Sequence, residues 1–219
     1  MPPRLVIFDC DGVLVDSEPV ANQVLARALS RVGLVMDEAG SRRRYVGLSL
    51  GSIVARAEEE LGRPLPDDFL DDLQRDTFAE FRRSLRPVPG IADAVAAVRQ
   101  AGISYCVASS GTLDKMALTL GLTGLAPLFE GVIFSATMVA RGKPFPDLFL
   151  HAAASMGFAP GEAVVVEDSV FGVEAGRAAG MRVLAYARDG DPAALAARGG
   201  EVFDDMARLP LLLGLSAFA

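Results

Sequence analysis

Short apolar runs recur along this chain with a regular spacing. Leu5-Val6-Ile7-Phe8 is the first, and similar runs follow at Ser104–Ala108, Val132–Phe134, Ala163–Val166 and Arg182–Ala185. A run without polar alternation suits a strand buried on both faces of a parallel sheet. Between the runs lie stretches with helical character: Ala92–Ala101, Thr112–Leu120, Phe145–Met156 and Val170–Ala179. Gly102, Gly121, Gly157 and Gly180 stand just past them, where helices commonly stop. Strand and helix in alternation predict an α/β fold, a doubly wound parallel sheet.

Residues 17–87 break this pattern. They hold no convincing buried strand, but three amphipathic helical segments: Pro19–Val32, Gly51–Leu61 and Asp67–Leu85. Much of the charge is here too, including Arg42-Arg43-Arg44, Glu58-Glu59-Glu60 and Asp67-Asp68. Such runs read as solvated helix faces. Pro87, Pro89 and Gly90 mark the return to strand–helix alternation. The expected organisation is therefore a core of residues 1–16 and 88–219, with an α-helical cap of residues 17–87 inserted after the first strand.

Composition narrows the function classes. With 219 residues, 51% apolar and 22% charged, the chain is long enough to bury a sizeable core. A net charge of −7 argues against nucleic-acid binding, which needs a basic surface, and against docking on an anionic membrane. No segment reaches the roughly 18 apolar residues of a spanning helix, and no signal-peptide pattern opens the chain. The two cysteines, Cys10 and Cys106, lie in apolar runs and read as buried thiols. Cytoplasmic residence is the expectation. So is a monomer or weak homodimer.

The candidate chemistry sits at the ends of the expected strands, where ligands bind in open α/β sheets. Asp9-Cys10-Asp11-Gly12 follows the first strand. Two carboxylates there repel unless a metal ion or a proton offsets them. The second strand ends in Ser109-Ser110-Gly111-Thr112, whose hydroxyls and amides suit an anion at a helix N-terminus. Arg141-Gly142-Lys143-Pro144 places a lysine at a helix entrance. Glu167-Asp168 ends the fourth strand and offers oxygen ligands for magnesium. Each motif alone has a plainer reading: Asp and Ser cap helices, and a turn lysine faces solvent.

Together, in this order, they are far more specific. The stretches FDCDGVLVDSE (8–18), VASSG (107–111), GKPFPDLF (142–149) and VVEDSVFGVEAGRAAG (165–180) resemble the haloacid dehalogenase superfamily, in its branch of helical-cap sugar phosphatases and β-phosphoglucomutases. The resemblance covers nearly the whole chain. It implies a Rossmann-like core, Asp9 as nucleophile and Asp11 as general acid and base. It implies phosphate binding by Ser109, Ser110 and Lys143, and Mg2+ held by Asp9, Asp11, Glu167 and Asp168. Gly47 and Arg75 become candidate substrate contacts in the cap. The implied partner is a small-molecule phosphate ester. The mutases carry a cap histidine and a cap-loop arginine where this chain has Ala21 and Leu50. The only histidine, His151, reads as structural. Hydrolysis is therefore expected over a mutase reaction. A receiver-type phospho-switch is the non-enzymatic alternative, disfavoured because receivers are shorter, uncapped and lack an Asp-x-Asp after the first strand.

Overall fold

The computed structural model describes residues 2–45, 48 and 50–215. It divides into two compact units, Met1–Val15 with Pro87–Ala219, and Asp16–Arg86.

The first unit starts with strand β1 (Leu5–Phe8). The second holds helices α1 (Glu18–Val32), α2 (Glu38–Tyr45), α3 (Leu50–Leu61) and α4 (Phe69–Ser84). The chain then returns through α5 (Ile91–Gln100), β2 (Ser104–Ser109), α6 (Leu113–Leu122), β3 (Ile133–Ser135) and α7 (Asp147–Ser155). It ends with β4 (Ala163–Glu167), α8 (Val170–Ala178), β5 (Arg182–Tyr186), α9 (Pro192–Ala197), β6 (Glu201–Phe203) and α10 (Leu209–Leu212).

The six strands form one sheet in the order β3-β2-β1-β4-β5-β6, every neighbouring pair parallel. This is the doubly wound α/β arrangement. β1 lies between β2 and β4, where the winding changes direction, and crevices at such a point receive ligands. All four residues of β1 and all five of β4 are buried, which is why both read as unbroken apolar runs. Leu5, Ile7, Val165 and Val183 pack under α7 and α8 with Leu148, Phe149 and Val173. Full burial of each large apolar side chain contributes roughly 1.5–3 kcal/mol. β6 escaped the sequence reading because it is short, at the sheet edge, with only Phe203 buried.

The second unit has its own core, in which Val24, Leu25 and Leu29 of α1 meet Tyr45, Ile53, Ala57, Phe69 and Leu73. Helix α2 was not foreseen. Its sequence, EAGSRRRY, carries no apolar stripe, and it buries Gly40, Ser41 and Tyr45 instead. The charged faces pair across the helices. Arg27 and Arg31 of α1 meet Glu80 and Asp76 of α4 at 2.9 and 2.8 Å. Two backbone links mark the chain passages. Val15 forms a bridge with Pro87, and the Val88 amide donates to the Leu14 carbonyl at 3.0 Å.

Candidate active site

Asp9 is the first residue beyond β1. Its amide still donates to the Val166 carbonyl at 2.9 Å, so the sheet fixes its direction. Its carboxylate is buried, and its Oδ1 accepts a hydrogen bond from Lys143 Nζ at 2.6 Å. The same ammonium donates to Glu167 Oε1 at 2.6 Å and lies 4.9 Å from the Phe149 ring centroid. Lys143 is only 5% exposed, so its charge must be met by protein groups. Its loop is clamped from outside: Arg141 forks onto Asp147 with bonds of 3.0 and 2.8 Å.

Burial pushes the Asp9 carboxyl up, Lys143 opposes this, and Glu167 and Asp11 reinforce it; the carboxyl titrates at about 7. Burial pulls the Lys143 ammonium down, but Asp9 and Glu167 outweigh it and hold the group above its usual range. The lysine therefore keeps its proton between the two carboxylates.

Glu167, buried at the end of β4, is held through both of its oxygens. One oxygen is bonded to Lys143, and the other accepts from the Ser169 amide at 2.7 Å. The buried Lys143 ammonium thus joins the ends of β1 and β4 by bonding both Asp9 and Glu167. Asp168 follows directly and lies against Gly12, whose φ of 76° turns the chain sharply. The first and fourth strand ends thus meet at Gly12.

Ser109 ends β2 with its side chain buried, and its Oγ accepts from the Gly111 amide at 3.1 Å. Ser110 beside it is exposed. Ser135 Oγ donates to the Gly111 carbonyl at 2.7 Å, joining the β2 and β3 ends. A side chain built at Gly111 would come within 3.8 Å of Asp11 Oδ2 and 3.5 Å of Ser109 Oγ. The structure therefore gathers Asp9, Asp11, Ser109, Lys143, Glu167 and Asp168 at one end of one sheet.

Lys115 was missed from sequence. Its Nζ donates to Asp11 Oδ2 at 2.8 Å. Burial pulls this ammonium down, but Asp11 outweighs it and holds it above its usual range. A lysine in the first turn of a helix carries no local sign of a partner 104 residues earlier.

Gly47 lies outside the described residues. Arg75, on α4, pairs with Asp72 at 2.7 Å on its own helix. His151 meets the Phe134 ring edge-on at 5.6 Å, a packing contact.

Among the described residues, no three His, Cys, Asp or Glu side chains form a ready-made metal cage. The donor set nonetheless suits magnesium, which is commonly held by one or two carboxylates together with a substrate phosphate and waters. Asp11 bonds Lys115, Asp9 and Glu167 share Lys143, and the Asp168 carboxylate lies beside Gly12.

The haloacid dehalogenase-like hydrolase family model matches residues 3–180. The chain belongs to this family. It is a hydrolase whose family resemblance was legible in its strand-end motifs. Over 185 residues it is 30% identical to 6-phosphogluconate phosphatase of Escherichia coli K12, covering 84% of this chain and 82% of that one. Over 191 residues it is 32% identical to hexitol phosphatase A of the same organism, covering 82% and 81%. A family hydrolase from Deinococcus radiodurans R1, solved with bound phosphate and sodium, superposes with a TM-score of 0.86 at 33% identity, covering 100% of this chain and 99% of that one.

Proposed function

We propose that this hydrolase is a magnesium-dependent phosphatase that releases phosphate from small phosphorylated sugars or sugar acids, with Asp9 as nucleophile. The observation that carries the proposal is the buried pairing of Asp9 with Lys143 at the winding switch of the sheet. It gives a carboxylate of fixed direction, with a cation beside the place where a phosphate would arrive. The names of the two curated relatives support the substrate class.

Asp9 attacks phosphorus, the bond to the substrate oxygen breaks, and an aspartyl-phosphate forms. Bringing a carboxylate to about 3.2 Å from a phosphate charge costs about 5 kcal/mol per unit pair at an effective dielectric near 20. Lys143 offsets part of this cost. Ser109 keeps its O–H as a donor to phosphate oxygens. Asp9, Asp168 and the Asp11 carbonyl would hold the magnesium ion, which would supply the remaining positive charge. Glu167 holds Lys143 in place. Asp11 gives a proton to the departing alkoxide, then takes one from the water that attacks phosphorus, which frees phosphate and Asp9.

Ala21 and Leu50, at the positions where the mutases carry their cap histidine and arginine, favour hydrolysis over phosphoryl return. The test is a phosphate-release screen over phosphorylated sugars, sugar alcohols and sugar acids, including 6-phosphogluconate and β-glucose 1-phosphate, with and without EDTA. Metal-dependent turnover that disappears in Asp9→Asn is expected. Full activity in Asp9→Asn would sink the mechanism, and efficient formation of glucose 6-phosphate would sink the choice of hydrolysis.

A further inference from the structure

Asp11 follows β1 in a tight turn, in which it bridges to Val15. Two contacts from α6 reach this turn. Lys115 Nζ bonds Asp11 Oδ2 at 2.8 Å, and Thr119 Oγ lies 3.9 Å from Cys10 Sγ. Lys115 and Thr119 are four residues apart, so one face of α6 meets the turn at two points. The start of α6 is itself fixed, because Thr112 caps it by accepting from the Lys115 amide at 3.3 Å.

The placement of Lys115 is otherwise unfavourable. A cation in the first turn of a helix opposes the positive end of the helix dipole. The lysine side chain is also only 30% exposed and the Asp11 side chain 27%. A surface lysine would turn toward water, whereas this one turns inward to a single carboxylate oxygen. Lys143 does the same for Asp9 at 2.6 Å. Each aspartate of the pair thus bonds a lysine from a different segment, Asp11 from helix α6 and Asp9 from the loop before α7.

We infer that Lys115 is the positioning residue for Asp11, holding Oδ2 so that the carboxylate is aimed at the substrate's leaving oxygen. The inference rests on the reading of Asp11 as general acid and base. Its signature is dependence on the leaving group. A sugar alkoxide needs a proton as it departs, and p-nitrophenolate does not. A carboxylate misplaced by about 1 Å can cost on the order of 100-fold in a step that depends on it.

The experiment compares kcat/KM for 6-phosphogluconate and p-nitrophenyl phosphate in the full chain and in Lys115→Met, Lys115→Arg and Asp11→Asn. Lys115→Met is expected to lose at least tenfold more on the sugar phosphate than on the aryl ester, and Lys115→Arg to recover part of that difference. Equal losses on both esters, or no loss on either, would overturn the inference. Should Lys115→Met fail to fold by circular dichroism, Lys115→Arg against Lys115→Gln decides: no difference between them in the ester ratio overturns it. Asp11→Asn separates the two levels. If it shows the leaving-group dependence and Lys115→Met does not, only the role of Lys115 falls. If Asp11→Asn itself shows none, the acid–base reading falls and takes the inference with it.

Discussion

At Gly12 a side chain would run into the Asp168 carboxylate, and at Gly172 it would run into the carboxylate of Glu167. Both glycines sit opposite acids of the candidate site, and each leaves the space that an acid fills. Gly12 also has φ of 76°, a left-handed conformation that strains residues with a Cβ. Gly12→Ala is therefore expected to lower phosphate release at least tenfold and to raise the magnesium concentration needed for half-maximal rate. Gly172→Ala should displace Glu167 and loosen Lys143, lowering kcat with little change in magnesium dependence. Steady-state titrations of magnesium in the two variants check the contrast. Lys143→Met leaves Asp9 and Glu167 buried without their shared cation. Breaking a buried pair in this way costs about 3–5 kcal/mol, so urea unfolding should show a large loss of stability beside the loss of activity.

The elements that positioned these residues were legible where burial dictated one residue type. β1 and β4 are buried on both faces, and their apolar runs could mean little else. The Asp-x-Asp turn and the Glu-Asp pair were legible because acids after such runs are costly without a purpose. The pairing of Lys115 with Asp11 was not, because an ion pair between distant segments leaves no periodicity behind. The direction of Glu167 was equally hidden: two adjacent acids look alike until the fold sends one to a lysine. At the sheet edge, Arg182 of β5 forks onto Glu201 of β6 with bonds of 2.8 and 2.6 Å. The hydrogen bond from Arg182 holds the Glu201 carboxyl below its usual value. A depressed folded value means stability that is present above the unfolded value and lost as pH falls through the folded one. The pair is largely exposed, so Glu201→Gln should cost less than about 1 kcal/mol near pH 7. That difference should shrink as pH falls past the ordinary glutamate range and vanish only below the depressed folded value. Urea melts of both proteins in a pH series from 7 into the acid range check it.

At the scale of the whole molecule, the proposed magnesium and phosphate site at the sheet end predicts linkage between ligand and stability. Magnesium with inorganic phosphate should raise the melting temperature, since a ligand at 100 times its dissociation constant adds about 2.7 kcal/mol. Asp168→Asn should abolish the magnesium-dependent part of the shift in differential scanning fluorimetry. The thiols offer an independent check on core integrity. Cys10 and Cys106 are buried and free. Burial raises the Cys106 thiol to about 12 and Cys10 well above its usual value. A thiol reagent should titrate neither in the native protein and both in denaturant. Among the described residues, no helix is long and apolar enough to cross a membrane.

The backbone links at Val15–Pro87 and Leu14–Val88 have a consequence for inheritance. The chain leaves the sheet-bearing unit and returns to it through one narrow doorway. For the sheet, everything between those points is a single closed loop, and the entropy of closing a loop grows only slowly with its length. A lineage can therefore lengthen, trim or replace the segment behind the doorway in one genetic event without shifting the register of any strand. The acid-bearing strand ends and the inserted helices are free to change at different evolutionary speeds.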